Sequence, residues 1–342
     1  MKKSKNTFSL ILIVALIAVT CVYFYCSFDL SEIVDGIANA DFGVLAIGFS
    51  AVLVYLVCYG LLAKTVMKSF GTRVSLFRGF LYACTDFYYC AITPSASGGQ
   101  PLVIYNMVKD GIPASQASFF TFFHTAVYKT VLIVFNVVAV LFCFEEFRQS
   151  SRTFEILWFV GIVINIGIIF LCLLSMFKRG LTMKMAAWIF RICGKLHIIK
   201  NADERLAAFS SSHDDYRASA VLVIKNWQLT LKLFLIVFVQ RGAFFSIAYI
   251  VYRGMGLSAH GYLYFLCLQA MIAMAVDSLP LPGGIGVNEA ALVVTLESAY
   301  GTPEAAAAAT LIIRVINYYF CVFITSIGTL IEQISQKKRQ SS

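Results

Sequence analysis

The sequence has 342 residues, of which 60% are hydrophobic and only 13% are charged, with a formal net charge of +9. Soluble domains carry about 25% charged residues, so this composition excludes an ordinary soluble protein and predicts an integral membrane protein. The basic excess is explained by the loops of such a protein, and the ten cysteines lack the paired spacing of a metal site. We therefore predict no metal, no cofactor and no directly bound nucleic acid.

Several apolar segments are long enough to cross a bilayer as helices. A helix needs about 20 apolar residues to span a hydrocarbon core of about 30 Å. The first such segment is longer than the roughly 7–15 apolar residues of a signal peptide, so we interpret it as an uncleaved span. The six predicted full spans are 8–28, 42–63, 117–144, 156–177, 229–252 and 304–331.

The segments that connect the spans alternate in charge. Basic residues accumulate at the N-terminus, in 64–78, in 178–232 and in 337–339, whereas 29–41 contains acidic residues but no Lys or Arg. Loops rich in Lys and Arg stay in the cytoplasm. The pattern therefore places both termini of a multi-pass protein in the cytoplasm.

The cytoplasmic loop 178–228 is the only long polar segment. Its first part, 178–200, mixes apolar residues such as Trp188 with basic residues such as Lys184 and Arg191. This mixture predicts an amphipathic helix on the membrane surface, with an ordinary basic loop as the alternative. The loop is too short for a soluble catalytic domain, so we predict one integral membrane domain over residues 1–342.

Two further apolar stretches, 76–113 and 262–300, are interrupted by proline and glycine. The interruptions are TPSASGGQP at 93–101 and PLPGGIGVNE at 280–289. Both sequences unwind a helix, and unwound backbone at membrane depth must be buried in protein or line a wet cavity. We predict two re-entrant helical hairpins, and tight loops between eight or more full spans are the alternative.

The interruptions hold equivalent positions in two halves of the chain, 1–150 and 151–332. Each half consists of a span, a second span, a hairpin and a third span, and the two halves begin on opposite sides of the membrane. This order predicts an all-α polytopic fold built as an inverted repeat. Paired interrupted segments of this kind point to a midplane binding site in transporters.

Ionisable groups inside spans are costly and therefore mark candidate sites. Asp277, Glu289 and Arg314 surround the second interruption, and a guanidinium suits a lipid phosphate; a purely structural ion pair is the alternative. Arg241 is predicted to face protein rather than lipid, and Glu297 to lie near water. The comparable polar groups of the first half are Ser95, Ser97, Gln100, Asp86, His124 and Lys129.

The two interruptions also resemble a known family. The patterns Thr-Pro-Ser-x-x-Gly-Gly-Gln-Pro and Pro-Gly-Gly-x-Gly-x-x-Glu are similar to those of the lysylphosphatidylglycerol synthase transmembrane-region family, and the resemblance covers about residues 8–331. That family includes the flippase half of the multiple peptide resistance factor, which moves aminoacylated phosphatidylglycerol between leaflets. The motif residues carried over are Pro94, Ser95, Gly98, Gly99, Gln100, Pro101, Asp277, Pro282, Gly283, Gly284, Gly286 and Glu289, followed by Arg314.

The resemblance implies a bacterial plasma-membrane protein that flips anionic or aminoacylated phospholipid and supports resistance to cationic peptides. One alternative is the membrane component of phosphatidylglycerol lysyltransferase activity. It would need a separate aminoacyltransferase, because the soluble domain of the two-part relatives has no counterpart in this sequence. A hydrolase that pairs Ser95 or Ser97 with His124 is disfavoured, so we predict no catalytic residue in this chain. Homo-oligomerisation is left open.

Overall fold

The computed structural model describes residues 25–93, 98–143, 152–177, 213–277 and 281–341, and the single residues 22, 180, 183, 184, 187, 188, 191 and 279. These residues are helical or lie in turns, and none of them forms a strand. The predicted span 8–28, the predicted amphipathic segment 178–200 and the motif segment 94–97 lie wholly or largely outside the described residues.

Helices account for nearly all of the described chain. Five of them are long and apolar enough to cross a membrane, which confirms the predicted spans from the second onward and a polytopic helical fold. In chain order the helices are α1 Leu30–Ala38, α2 Phe42–Ser69, α3 Leu76–Ile92, α4 Gly99–Lys109, α5 Ala114–Phe142, α6 Arg152–Phe177, α7 His213–Lys225, α8 Trp227–Gly254, α9 Tyr262–Val276, α10 Val287–Tyr300, α11 Pro303–Arg314 and α12 Cys321–Ser341. A π-helical turn, Val315–Phe320, joins α11 to α12 as one span.

Polar side chains set where several helices begin. The Asp41 carboxylate accepts a hydrogen bond of 2.8 Å from the amide of Gly43 at the start of α2. The Thr302 hydroxyl accepts one from Ala305 at the start of α11, which has proline in its first turn. Such caps satisfy amides that have no partner within the helix. These starts therefore follow from local sequence.

Helix α7 differs from the sequence prediction, which placed this segment in a cytoplasmic loop. Its residues Tyr216, Ala220 and Val223 are fully buried. The Tyr216 ring packs on Phe119 of α5, with ring centroids 6.2 Å apart. The apolar residues recur at helical spacing, but the charged residues around them hide this short pattern in the sequence.

Two helices at corresponding places of the predicted repeat run in opposite directions. Helices α2 and α8 are the second spans of the predicted halves, and each has 28 residues. They run antiparallel, because the Asp41 amide at the start of α2 donates to the Gly254 carbonyl at the end of α8 over 2.7 Å. Midway along them, Gln240 Nε2 donates to the Tyr55 carbonyl over 3.1 Å. Helices that the predicted repeat makes equivalent therefore point in opposite directions, as an inverted repeat requires.

Each half also contributes a hairpin that packs on the last span of the other half. We call α3, α4 and the turn between them hairpin 1, and α9, α10 and their turn hairpin 2. In hairpin 1, Cys84 of α3 packs against Gly328 of α12. In hairpin 2, the Ala270 carbonyl of α9 accepts a 3.0 Å hydrogen bond from Asn136 Nδ2 of α5. The halves therefore interlock.

The first helix of each hairpin is too short to cross a bilayer. Helix α3 has 17 residues and α9 has 15, so at 1.5 Å per residue they are about 25 Å and 22 Å long. A full crossing needs about 30 Å. The end of α3 instead meets the middle of the last span, where Tyr318 Oη donates to the Ala91 carbonyl over 3.3 Å. Ile285, in the turn of hairpin 2, belongs to one buried cluster with Ala91 and Tyr318, so the hairpin tips meet beside the middle of the last span, as the re-entrant interpretation predicts.

Charged groups fix the open end of hairpin 1. Arg78, near the start of α3, forms ion pairs with Asp110, which follows α4, and with Glu332 of α12. The Arg78–Glu332 pair measures 2.6 Å. Gln336 extends this network to Asn106 of α4 over 3.1 Å. The base of hairpin 1 is therefore tied to the last span of the second half.

Two glycines allow hairpin 1 to lie directly on α2. A Cβ on Gly79 of α3 would lie 2.7 Å from Gly60 Cα, and a Cβ on Gly60 would lie 2.8 Å from the Phe80 amide nitrogen. Such distances leave no room for any side chain. Small residues allow this close approach of helix backbones in membranes, where packing replaces the hydrophobic effect as the driving force.

We predict that Gly79→Leu lowers the stability of the folded protein by about 1–3 kcal/mol or more, because an added side chain overpacks this contact. The measurement is the midpoint of thermal unfolding in detergent. Gly167→Leu is the matched control, since among the described residues no other helix comes within 4 Å of a Cβ placed at Gly167 of α6. Equal melting of both variants would show that the glycine contact does not hold hairpin 1.

Candidate functional site

The turn of hairpin 2 is built around the Pro-Gly-Gly motif. Gly283, Gly284 and Gly286 have φ values of +60°, +64° and +88°, a region that strongly favours glycine. A Cβ on Gly283 would collide with the ring of Tyr318. Pro282 begins the short 3₁₀ turn of this segment. The motif therefore presses the backbone of hairpin 2 against the last span.

A buried ion pair holds the start of α10. Arg314 Nε donates to Glu289 Oε1 over 2.6 Å, and the other Glu289 oxygen accepts the Gly286 amide over 2.6 Å. Arg314 Nη2 donates to the Gly283 carbonyl over 3.2 Å, and its guanidinium lies 4.4 Å from the ring centroid of Tyr318. Glu289 is 1% exposed and Arg314 is 3% exposed. In this conformation the protein itself satisfies both charges.

The tip of hairpin 1 is equally tight. The Gly98 amide donates to Thr93 Oγ1 over 3.0 Å. A Cβ on Gly99 would fall on Asp86 and Cys90 of α3, so the two helices of the hairpin touch there. Pro101 lies in the first turn of α4, where proline costs no helix hydrogen bond. The predicted site residues Pro94, Ser95 and Ser97 lie outside the described residues.

In both halves a side chain near the start of the second hairpin helix bonds to the span that follows, but the side chains differ. Gln100, near the start of α4, donates from Nε2 to Thr125 Oγ1 over 2.8 Å. Thr125 is the twelfth residue of α5, and Arg314 is the twelfth of α11. Glu289, the partner of Arg314, likewise lies near the start of the second hairpin helix. The repeat therefore uses an amide and a hydroxyl in one half and an ion pair in the other.

A second ion pair joins hairpin 2 to the first half. Asp277, at the end of α9, pairs with Lys129 in the middle of α5. It also accepts a hydrogen bond of 2.9 Å from Tyr128 Oη. About 33% of the Asp277 side chain is exposed, so this carboxylate, unlike Glu289, is accessible from outside the protein core.

Arg241 approaches the same place from the middle of α8. Its guanidinium carbon lies 3.6 Å from the ring centroid of Tyr128 and 5.2 Å from that of Tyr55. The prediction that Arg241 faces protein is confirmed. Six ionisable groups of the described chain thus gather where the hairpin tips meet, in equal numbers of acids and bases: Asp86, Asp277, Glu289, Lys129, Arg241 and Arg314.

Sequence reasoning did not identify Tyr128 and Tyr55, which link these charges. Tyrosines are abundant in this chain, with 17 in total, so their position alone gave no signal. The adjacency of Tyr128 to Lys129 was the only available hint. Both tyrosines contact Arg241 through their rings, and a ring contact between separate helices cannot be detected from spacing along the chain.

Two other predicted polar groups are not part of the charged cluster, although His124 lies close enough to Arg241 to interact with it through charge. His124 is buried, and its ring packs edge-on against Tyr59 with centroids 4.6 Å apart. Such packing is typical of a core histidine. Glu297, near the end of α10, is exposed, as expected for a group near water. The hydrolase alternative, which pairs His124 with Ser95 or Ser97, stays a hypothesis.

The inverted hairpins and their charged tips occur in a chain that has known relatives. The sequence matches the family described as "Lysylphosphatidylglycerol synthase TM region" over residues 7–324. The chain belongs to this family. It is also similar to a UPF0104 membrane protein of Archaeoglobus fulgidus, with 24% identity over 285 residues that cover 81% of this chain and 82% of the relative. The family match includes both hairpins, so the resemblance predicted from their motifs is confirmed.

We predict that Arg314→Met destabilises the protein by about 3–5 kcal/mol, because it leaves the buried Glu289 carboxylate without a partner. Adding Glu289→Gln removes that charge and keeps an acceptor for the Gly286 amide, so the double variant recovers much of the loss. Thermal unfolding in detergent measures both. A double variant that is no more stable than Arg314→Met would rule out charge compensation as the role of this pair.

Proposed function

We propose that the protein moves phospholipid headgroups between the two leaflets of its membrane. One observation supports the proposal: the tips of two hairpins, whose first helices are each too short to cross a bilayer, meet beside the middle of the last span, and charged groups of both halves gather at that meeting point. Membership of the lysylphosphatidylglycerol synthase transmembrane family supports a lipid as the substrate. Inverted repeats with broken helices build midplane sites in many transporters.

The charged cluster is suited to lower the barrier that a headgroup meets. Each ionised group at the bilayer centre costs about 2.5–3.5 kcal/mol on insertion scales, and a headgroup bears at least one. Fixed charges of both signs at mid-depth offset that cost while the acyl chains stay in the surrounding lipid. In this proposal Asp277, which is accessible, faces the cationic part of an aminoacylated headgroup.

The remaining predicted site residues have supporting roles in the proposal. Glu289 and Arg314 hold the tip of hairpin 2, and Gln100 does the same for hairpin 1. Their bonds fix the unwound backbone that borders the path of the headgroup. Ser95 and Ser97 belong to the motif of hairpin 1 and are proposed to supply hydroxyl groups to the headgroup.

The test is leaflet exchange of fluorescent phospholipids in liposomes that hold the purified protein, with phosphatidylglycerol and a lysyl-phosphatidylglycerol analogue as probes. We expect the wild type to speed exchange over protein-free liposomes. Asp277→Asn should slow it by about tenfold or more, since a bond to a charged group is lost. Asp35→Asn, at an exposed position of α1, is the control and should exchange lipid like the wild type.

A double variant separates a transport role of Asp277 from a structural one. If Asp277 only neutralises Lys129, the double variant Lys129→Met with Asp277→Asn regains exchange. If Asp277 faces the headgroup, the double variant stays slow although it is folded. No exchange of any lipid by folded wild-type protein would contradict transport. Lysine transfer to phosphatidylglycerol after addition of a soluble aminoacyltransferase would then favour a role in lipid synthesis.

A further inference from the structure

Arg241 differs from the other two bases of the charged cluster. Lys129 has Asp277 as its partner, and Arg314 has Glu289 and a carbonyl. Within the described residues Arg241 makes no ion pair, and its Nε atom is buried without a hydrogen-bond partner. Among the described residues, the Arg241 guanidinium therefore has no hydrogen-bond acceptor.

The orientation of this guanidinium leaves its donors available. Arginine donates hydrogen bonds in the plane of the guanidinium, and its face stacks on aromatic rings. Tyr128 lies against that face, only 3.6 Å from the guanidinium carbon. The side chain as a whole is partly exposed. Stacking thus fixes the position of Arg241, while its in-plane donors lack an acceptor among the described residues, as a fork-shaped receptor for an oxyanion requires.

Neighbouring acids do not fill this receptor. Asp277 is engaged by Lys129 and by the hydroxyl of Tyr128. Asp277 and Asp86 are both near enough to interact with Arg241 through charge, but within the described residues neither forms an ion pair with it. The Asp86 carboxylate instead accepts a long contact of 3.9 Å from the Cys90 thiol. Because an unpaired cation at mid-depth is costly, the site favours an anion supplied from outside the protein.

We propose that Arg241 binds the phosphate group of the transported lipid, with Tyr128 and Tyr55 holding the guanidinium in place. This inference rests on the proposed transport function and names the residue that recognises the substrate. It assigns the phosphate to Arg241 instead of Arg314, whose donors are already used by Glu289 and Gly283. Arg241 lies over the ring of Tyr128, and Asp277 accepts a hydrogen bond from its hydroxyl. The proposed phosphate site and the carboxylate proposed for a cationic headgroup therefore adjoin one tyrosine.

The test is ligand-dependent thermal unfolding of the full chain in detergent. The probes are dihexanoyl-phosphatidylglycerol, dihexanoylglycerol, which lacks the phosphate, and inorganic phosphate. We expect only the phospholipid to raise the unfolding midpoint. Its apparent affinity should fall about tenfold or more in Arg241→Gln and by less in Arg241→Lys, which keeps the charge without the fork. Equal protection by inorganic phosphate would assign the site to a free anion instead.

Arg253→Gln is the matched control, because Arg253 lies exposed on the same helix; it should bind the phospholipid like the wild type. Without ligand, Arg241→Gln should be no less stable than the wild type, since no ion pair is broken. If it is unstable, and Asp86→Asn restores its stability, then Arg241 is the counter-ion of Asp86 and the proposal is overturned. Unchanged phospholipid binding by folded Arg241→Gln would also overturn it.

The exchange assay separates failure of this inference from failure of the transport function. If Arg241→Gln exchanges lipid at the wild-type rate, Arg241 does not hold the phosphate, although the protein still transports lipid. If the wild type binds dihexanoyl-phosphatidylglycerol through Arg241 but exchanges no lipid, the phosphate site stands and the transport function fails.

Discussion

Unwound backbone at membrane depth has no water to bond, and this constraint governs the structure. Each unpaired amide or carbonyl in hydrocarbon costs several kcal/mol, so both hairpin tips need partners from the protein. Glu289 accepts the Gly286 amide, and Arg314 donates to the Gly283 carbonyl. Tyr318 donates to the Ala91 carbonyl at the other tip. The interlocking of the halves follows, because the last span of the second half serves the backbone of both hairpins.

Much of this arrangement could be predicted from the sequence, because a bilayer imposes simple length rules. Apolar runs located the spans, and proline and glycine located the hairpin turns. The position of Glu289 just after the Gly-rich turn also predicted that this residue belongs to the candidate site. Arg241 was noted as facing protein, but its stacking on Tyr128 was not, since those residues lie on helices that are distant in sequence. Helix α7 was missed because it buries only three apolar residues, Tyr216, Ala220 and Val223.

The repeat preserves geometry while its chemistry diverges. Thr125 and Arg314 occupy equivalent positions, and Lys129 and Tyr318 each lie four residues later. Thr125 and Arg314 each bond to the hairpin of their own half. Lys129 and Tyr318 each bond to the hairpin of the other half. Two of these four bonds are ion pairs. One is Arg314–Glu289, within the second half, and the other is Lys129–Asp277, from the first half to hairpin 2. The substitutions thus concentrate charge around hairpin 2, where the longer Gly-rich turn lies.

This division of bonds sets what each movement costs. If the halves rock as units, Glu289–Arg314 stays intact, but Lys129–Asp277 and the Arg78–Glu332 pair at the base of hairpin 1 must break. If each hairpin instead stays with the span of the other half, the reverse holds. Asp277 is one-third exposed and can be resolvated, whereas separating Glu289–Arg314 or Arg78–Glu332 leaves a buried carboxylate without its cation, at about 3–5 kcal/mol. Either movement must therefore separate one buried pair, and rocking of whole halves would also slide Arg241 of the second half across Tyr128 and Tyr55 of the first.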